Sequence, residues 1–221
     1  MRTYEKIETI YARDTDGTKK LLPGVYRSKT IGYLKDIQWE WTEKVDGTNI
    51  RVFWDGHTVT FGGRTDRAQI PAPLVNRLNE LFGGEENAQL FEQTFGEKEV
   101  ILFGEGYGNG IQAAGRFYNP KGVDFILFDV LIGDNYQERE WVSETAKLFG
   151  IRAVPIVGVG TLDEAVNYVK SKPISWLSDP SMDDFEMEGI VCRPAYELRD
   201  RRGDRLIVKI KACDFASQPE G

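Results

Sequence analysis

Five short segments place charged side chains on or beside otherwise apolar, strand-like runs. They are Glu43-Lys44-Val45-Asp46-Gly47-Thr48-Asn49, Phe103-Gly104-Glu105-Gly106, Phe125-Ile126-Leu127-Phe128-Asp129, Glu188-Gly189-Ile190-Val191 and Val208-Lys209-Ile210-Lys211. A lone charge in apolar surroundings is costly unless it is paired or in use, so these positions are the first candidates for chemistry. Lys209 and Lys211 are two apart on a strand and therefore point to the same side. Each segment also has an ordinary reading: Glu105 and Glu188 as salt-bridge partners, the lysine pair as a solvated face, Asp46-Gly47 as a turn, Phe128 as core and Asp129 as a structural ion.

Composition narrows the chemistry to lysine, arginine and carboxylate. The chain of 221 residues has one histidine, His57, and two cysteines, Cys192 and Cys213, with no CxxC. A zinc site built on histidines needs more than one, and a Ser-His-Asp triad would have to use His57, which reads as an exposed strand residue. The cysteines read as small, buried or half-buried apolar residues of a reduced protein. Net charge is 28 − 35 = −7, which argues against a generally basic nucleic-acid binder. No apolar run is long enough to cross a membrane, and the charged start MRTYEKIETI lacks the apolar core of a signal peptide. The expectation is a cytoplasmic protein without membrane contact.

The positioning elements read as an α+β pattern. Asp16-Gly17 and Pro23-Gly24 are turn signals in the opening segment. Trp39–Lys44 alternates like a strand. Asn49–Trp54 and His57–Phe61 flank Asp55-Gly56, a type I′ hairpin signal. Leu74, Leu78, Leu81 and Phe82 recur at helical spacing after Pro71 and Pro73, and Glu86–Phe95 reads as a second helix. Glu99–Phe103 and Asp124–Leu131 read as buried strands. Helices over Trp141–Phe149 and Leu162–Val169 enclose a strand at Val154–Val159, and the last strands are Glu188–Arg193 and Arg205–Lys211.

Taken together and in order, the segments resemble the motifs of the covalent nucleotidyltransferases, the superfamily of ATP-dependent ligases and mRNA capping enzymes. Lys44-Val45-Asp46-Gly47 resembles KxDG, Gly62-Gly63-Arg64 the following arginine motif, and Phe103-Gly104-Glu105 the third motif. Phe125-Ile126-Leu127-Phe128-Asp129 resembles its companion, Glu188-Gly189-Ile190-Val191 EGxV, and Lys209-Ile210-Lys211 KxK. The chain is most similar to the RNA ligase 2 family of phages and trypanosome editing ligases. Asn49 stands where DNA ligases and capping enzymes more often carry arginine, and Gly110-Ile111-Gln112 resembles the stretch after that family's third motif. Gly106 departs from the leucine common after the motif glutamate. The resemblance implies a nucleotidyltransferase (ATP-grasp-like) catalytic domain with mainly antiparallel sheets and flanking helices. With ten residues after Lys211, the expectation is one adenylyltransferase domain over residues 1–221, without a C-terminal OB-fold or helical specificity module.

The resemblance also implies roles. Lys44 would attack the α-phosphorus of ATP to form lysyl-AMP. A free lysine is almost wholly protonated at neutral pH and needs cations, desolvation or metal to activate it, which Lys209, Lys211 and Mg²⁺ (or Mn²⁺) would supply. Asp46 would orient the lysine region. Glu43 would meet the adenine edge through backbone or side chain, and Phe128 would stack on adenine. Glu105 would contact ribose or help hold metal, and Glu188 would be a metal ligand. Asn49 and Arg64 would engage the nucleic acid's 5′-phosphate or the AMP phosphate, and Asp129 would serve the ligation steps. The expected activity is ATP-dependent joining of RNA 3′-OH and 5′-phosphate ends, on nicked duplex or single strands, by a monomer that could be phage-encoded. A DNA ligase, a capping-type enzyme and a non-catalytic nucleotide or nucleic-acid binding module are the alternatives.

Basic residues cluster despite the negative net charge. Arg193, Arg199, Arg201, Arg202, Arg205, Lys209 and Lys211 lie close in sequence, and Lys19, Lys20, Arg27, Lys29 and Arg67 add to them. Such clusters can contact phosphates. Arg199–Arg205 reads equally as a solvated loop paired to its own Asp200 and Asp204. Trp39, Trp41 and Tyr107 could stack on bases, with core packing favoured for the tryptophans.

Overall fold

Mainly antiparallel pairing of the predicted strands builds two large sheets and a two-stranded ribbon in the computed structural model, which describes residues 1–216. The strands in chain order are β1 (Glu8–Thr9), β2 (Tyr11–Arg13), β3 (Leu21–Tyr26), β4 (Trp39–Glu43), β5 (Thr48–Trp54), β6 (Val59–Gly62) and β7 (Val100–Gly108). Then come β8 (Val123–Ile132), β9 (Asn135–Tyr136), β10 (Arg152–Ala153), β11 (Ile156–Gly160), β12 (Gly189–Pro194) and β13 (Val208–Lys211). The helices are α1 (Lys29–Tyr33), α2 (Ala72–Phe82), α3 (Glu85–Phe95), α4 (Gly115–Tyr118), α5 (Arg139–Leu148) and α6 (Leu162–Lys170). The fold is α+β, with parallel pairing only at β1/β13 and β10/β8 among the described residues.

The chain divides into two compact units, each assembled from three segments. The first comprises Met1–Glu5, Asp46–Val154 and Leu177–Asp183; the second comprises Lys6–Val45, Pro155–Trp176 and the described residues from Asp184 on.

In the first unit the sheet order is β10-β8-β7-β5-β6, with β9 on β8. Pro71 and Pro73 open α2, where a missing N–H costs nothing, and Leu74, Leu78 and Phe82 on one face are fully buried. They join Phe91 and Phe95 of α3 and Val142 and Ala146 of α5 over Ile50, Val52, Trp54, Leu102, Phe125 and Leu127. The opposite face carries a smaller cluster of Ile101, Phe103, Leu131 and Tyr136, packed with Tyr4, Phe53 and Phe128.

In the second unit the sheet order is β1-β13-β12-β4-β11, with β2 and β3 forming a separate ribbon. Trp39, Trp41, Ile190, Cys192, Val208 and Ile210 point from the sheet into a core with Leu162, Ala165, Val166 and Val169 of α6. A capping box fixes the start of α6: Thr161 Oγ accepts from Glu164 N–H, and the Glu164 carboxylate accepts from Thr161 N–H.

Several local expectations need correction. The hairpin after Trp54 turns one residue later than expected: Asp55 N–H donates to the Thr58 carbonyl at 3.2 Å, so Gly56 and His57 are the turn residues, and the Asp55 carboxylate accepts from the N–H groups of both His57 and Thr58. His57 is exposed but lies in that turn, not on a strand. Pro23-Gly24 falls inside β3, which among the described residues pairs only with β2 and so tolerates a residue without an N–H. The single strand expected over Val154–Val159 is two: β10 pairs with β8, and β11 pairs with β4. Cys192 is buried as expected, whereas Cys213 is exposed. Tyr107 is buried along with Trp39 and Trp41, so none of the three offers a stacking face.

Candidate active site

Strand alternation brings four of the candidate residues together in the second unit. On β12 and β13, Ile190, Cys192, Val208 and Ile210 point into the core, so Lys209 and Lys211 point away from it. Gly189 is paired with Lys211, and the N–H of Lys44, just past the end of β4, donates to the Gly189 carbonyl at 2.9 Å. Lys44, Gly189 and Lys211 thus form one row across three strands. Gly189 has a φ of +151°, and a Cβ there would lie 2.1 Å from the Ile210 carbonyl oxygen. That is the physical reason a glycine follows Glu188.

Glu188 bridges the lysines. One carboxylate oxygen lies 2.5 Å from Lys44 Nζ and the other 2.9 Å from Lys211 Nζ. The hydrogen bond to Glu188 holds Lys211 above the ordinary lysine range. Lys209 is pushed the other way, first by burial and then by the neighbouring charges of Lys44 and Lys211, with Glu8 partly offsetting them. The row is therefore a concentration of positive charge with one carboxylate at its centre, an arrangement suited to polyphosphate.

Glu43 does not join this cluster. It faces the core side of the sheet, is 1% exposed, and its carboxylate accepts from the Ser175 hydroxyl and from Trp176 N–H. Its side chain holds the loop at 175–176, and its backbone N–H donates to the Pro155 carbonyl at 3.1 Å.

In the first unit Asp46 N–H donates to Tyr118 Oη at 3.2 Å. A Cβ on Gly47 would lie 2.3 Å from the Gly106 carbonyl oxygen and 2.7 Å from Glu105 Cγ, so the KxDG glycine lets β5 close onto β7. The departure at Gly106 has a similar cause: a Cβ there would sit 2.3 Å from Leu74 Cδ2 of α2. Asn49 is directly opposite Glu105 across β5 and β7. Its Oδ1 is buried without a hydrogen-bond partner among the described residues, an unusual state for a buried polar atom.

A β-bulge decides where Phe128 points. Phe103 pairs with Asp129 and Gly104 with Leu127, so Phe128 is the extra residue on β8. It joins the face that carries Phe103 and Leu131 instead of the helix-covered core. Tyr4 packs edge-on to its ring at 5.0 Å and donates its hydroxyl to Asp129 at 2.8 Å. Arg139 Nη1 donates to the Phe128 carbonyl at 2.8 Å. Asn49, Glu105, Phe128 and Asp129 therefore share one face of the sheet, while Arg64 is exposed on the loop after β6.

Three supporting residues escaped sequence reasoning. Tyr4 and Arg139 give no local signal. Arg51 did give one, as a charge inside the apolar run NIRVFW. The basic stretch 199–205 resolves into local pairing: Arg202 lies 3.4 Å from Asp200 and 3.0 Å from Asp204, and buried Arg205 is held by Glu197 at 2.6 Å.

Comparison with solved structures shows the same fold in Naegleria gruberi RNA ligase. An apo mutant of that enzyme aligns with a TM-score of 0.64 at 18% identity, covering 96% of this chain and 56% of that one. A mutant solved with ATP and Mn aligns at 0.64 and 19%, covering 95% and 56%. The form with PPi aligns at 0.61 and 19%, covering 96% and 62%. The chain thus spans less than two thirds of the length of these structures. The family model described as RNA ligase matches residues 37–211, from just before β4 to the end of KxK, and the chain belongs to the RNA ligase family.

Proposed function

We propose that this chain is the adenylyltransferase domain of an ATP-dependent RNA ligase that joins 3′-OH and 5′-phosphate ends. The observation that carries the reading is the Lys44–Glu188–Lys211 row with Lys209 beside it, in a chain of the RNA ligase family. Lys44 Nζ, once deprotonated, attacks the α-phosphorus of ATP; an N–P bond forms, and the P–O bond to pyrophosphate breaks. The positive charge of Lys209 and Lys211 offsets charge developing on phosphate, the main demand of phosphoryl transfer. A 5′-phosphate oxygen then displaces Lys44 from AMP, and the 3′-OH finally displaces AMP.

Phe128 stacks on adenine, and the unpartnered Asn49 Oδ1 accepts from a hydroxyl of the ligand. Asp46 orients the lysine segment. Arg64 takes a phosphate, and Asp129 serves the later steps. The donor set fits a hard divalent cation, which needs only one or two carboxylates beside phosphate and water. Glu188 would hold Mg²⁺ or Mn²⁺; when bound, the ion neutralises phosphate charge. We place the protein as a monomer acting in the cytoplasm on nicked or single-stranded RNA. Among the described residues no helix is long and apolar enough to cross a membrane.

Incubation with α-labelled ATP and Mg²⁺ tests this reading. The expected product is an acid-labile, base-stable label on the wild-type chain that Lys44→Ala abolishes. An unlabelled wild type, or an equally labelled Lys44→Ala, refutes it. Labelling by GTP alone points to capping chemistry, and sealing of only all-DNA nicks overturns the RNA assignment.

A further inference from the structure

Arg51 is a fully buried arginine outside every motif described above. It lies on β5 two residues from Asn49, on the same sheet face, and is 0% exposed. Its guanidinium makes four hydrogen bonds to two parts of the chain, the N-terminus and the loop after β6. Nε donates to the Gly63 carbonyl at 2.7 Å, Nη2 to the Asp66 carboxylate at 2.9 Å, and Nη1 to the carbonyls of Met1 at 3.0 Å and Arg2 at 3.3 Å. Phe53, the next residue on that face, is held by apolar contacts alone. A strand position that only had to fill space would not require a desolvated guanidinium.

The acceptors bracket Arg64. Gly63 immediately precedes it and Asp66 follows two residues later. The loop is tightly seated, since a Cβ on Gly62 would lie 3.0 Å from Arg51 Nη2 and one on Gly63 would lie 2.9 Å from Ala68 Cβ. We propose that Arg51 is a positioning residue for Arg64: its planar fork holds the Gly63 backbone just before Arg64 and the Asp66 side chain just after it, so that the exposed Arg64 guanidinium is presented in one place to a phosphate. The ligand chemistry is a phosphate oxygen, from either AMP or a 5′-phosphorylated strand. The inference rests on the phosphate role of Arg64 proposed above.

The test compares Arg64→Ala, Arg51→Lys and Asp66→Asn in two assays, the KM for ATP in labelling of Lys44 and the KM for a 5′-phosphorylated strand in sealing. Arg51→Lys keeps the charge and loses the fork. Asp66 is 70% exposed, so Asp66→Asn keeps the fold intact should Arg51→Lys destabilise it. Arg64→Ala is expected to raise one of the two KM values, by up to about 100-fold, which identifies the phosphate source; the other two variants raise the same KM by about tenfold. Adding either to Arg64→Ala has no further effect, because both act through the same contact. Three results overturn the proposal in a chain that labels with ATP: Arg64→Ala changes neither KM, the two other variants leave the Arg64-dependent KM unchanged, or their effects add in full to Arg64→Ala. A wild type that does not label refutes the ligase reading instead.

Discussion

Replacing Glu188 with glutamine keeps the side chain's size and removes the charge between Lys44 and Lys211. The three side chains are 19% to 31% exposed and make contacts of 2.5 and 2.9 Å. A sheltered charge-assisted hydrogen bond contributes about 1.5–3 kcal/mol, and solvent screening lowers that for partly exposed pairs. Two such bonds, so discounted, give a loss of about 2 kcal/mol, or about 4–8 °C in Tm for a chain of this length. The unpaired lysines then repel one another, so 1 M salt, which shortens the Debye length to about 3 Å, narrows the deficit. The sign with pH follows from Lys211, whose pKa is raised by Glu188. Its contribution is complete below the ordinary lysine range, about 10.4, and is lost as pH rises through the raised value. The deficit of Glu188→Gln is therefore full at neutral pH and closes only above that range. Urea unfolding followed by fluorescence of the core residues Trp39 and Trp41 measures it. A variant as stable as wild type at neutral pH and low salt refutes the electrostatic account. Labelling of Lys44 by ATP is expected to fall by about 100-fold, and undiminished labelling removes Glu188 from the site.

Other substitutions probe the remaining parts. Phe128→Ala is expected to cost about 1–3 kcal/mol of stacking, read as a rise in KM for ATP; an unchanged KM assigns Phe128 to the apolar cluster alone. Gly106→Leu restores the residue common in related ligases but drives a side chain into Leu74, for a loss of about 1–3 kcal/mol, and a melting curve that matches wild type contradicts the packing. Asp163 is held below the usual carboxylate range by hydrogen bonds from Lys35 and then Tyr26. Its stabilisation is present above the ordinary carboxylate pKa and lost as pH falls through the lowered value. Asp163→Asn should therefore cost up to about 1 kcal/mol at neutral pH and nothing in strong acid, and a deficit that grows on acidification contradicts this sign.

The long elements were legible because their periodicity reports local physics. The four-residue spacing of Leu74, Leu78 and Phe82 forces an apolar helix face. The alternation of Lys209 and Lys211 with Val208 and Ile210 forces both lysines off the core side of β13. The hairpin loop and the split of Val154–Val159 were not legible in this way. They depend on one carboxylate capturing two N–H groups and on which sheet offers a free edge.

By itself the sequence determined the chemistry available: lysines, carboxylates and arginines in six ordered motifs, with one histidine and two cysteines to offer anything else. Residue type is set by composition and order alone. Only the tertiary structure decided who is paired with whom. Glu188 bridges Lys44 and Lys211 because residues distant in the chain are neighbours across β4, β12 and β13. Phe128 joins the Asp129 face because a bulge adds a residue to β8. The Arg64 loop is seated by Arg51, a buried charge whose acceptors come from the N-terminus and from the far side of a hairpin. Pairing across strands is non-local, and no spacing along the chain encodes it.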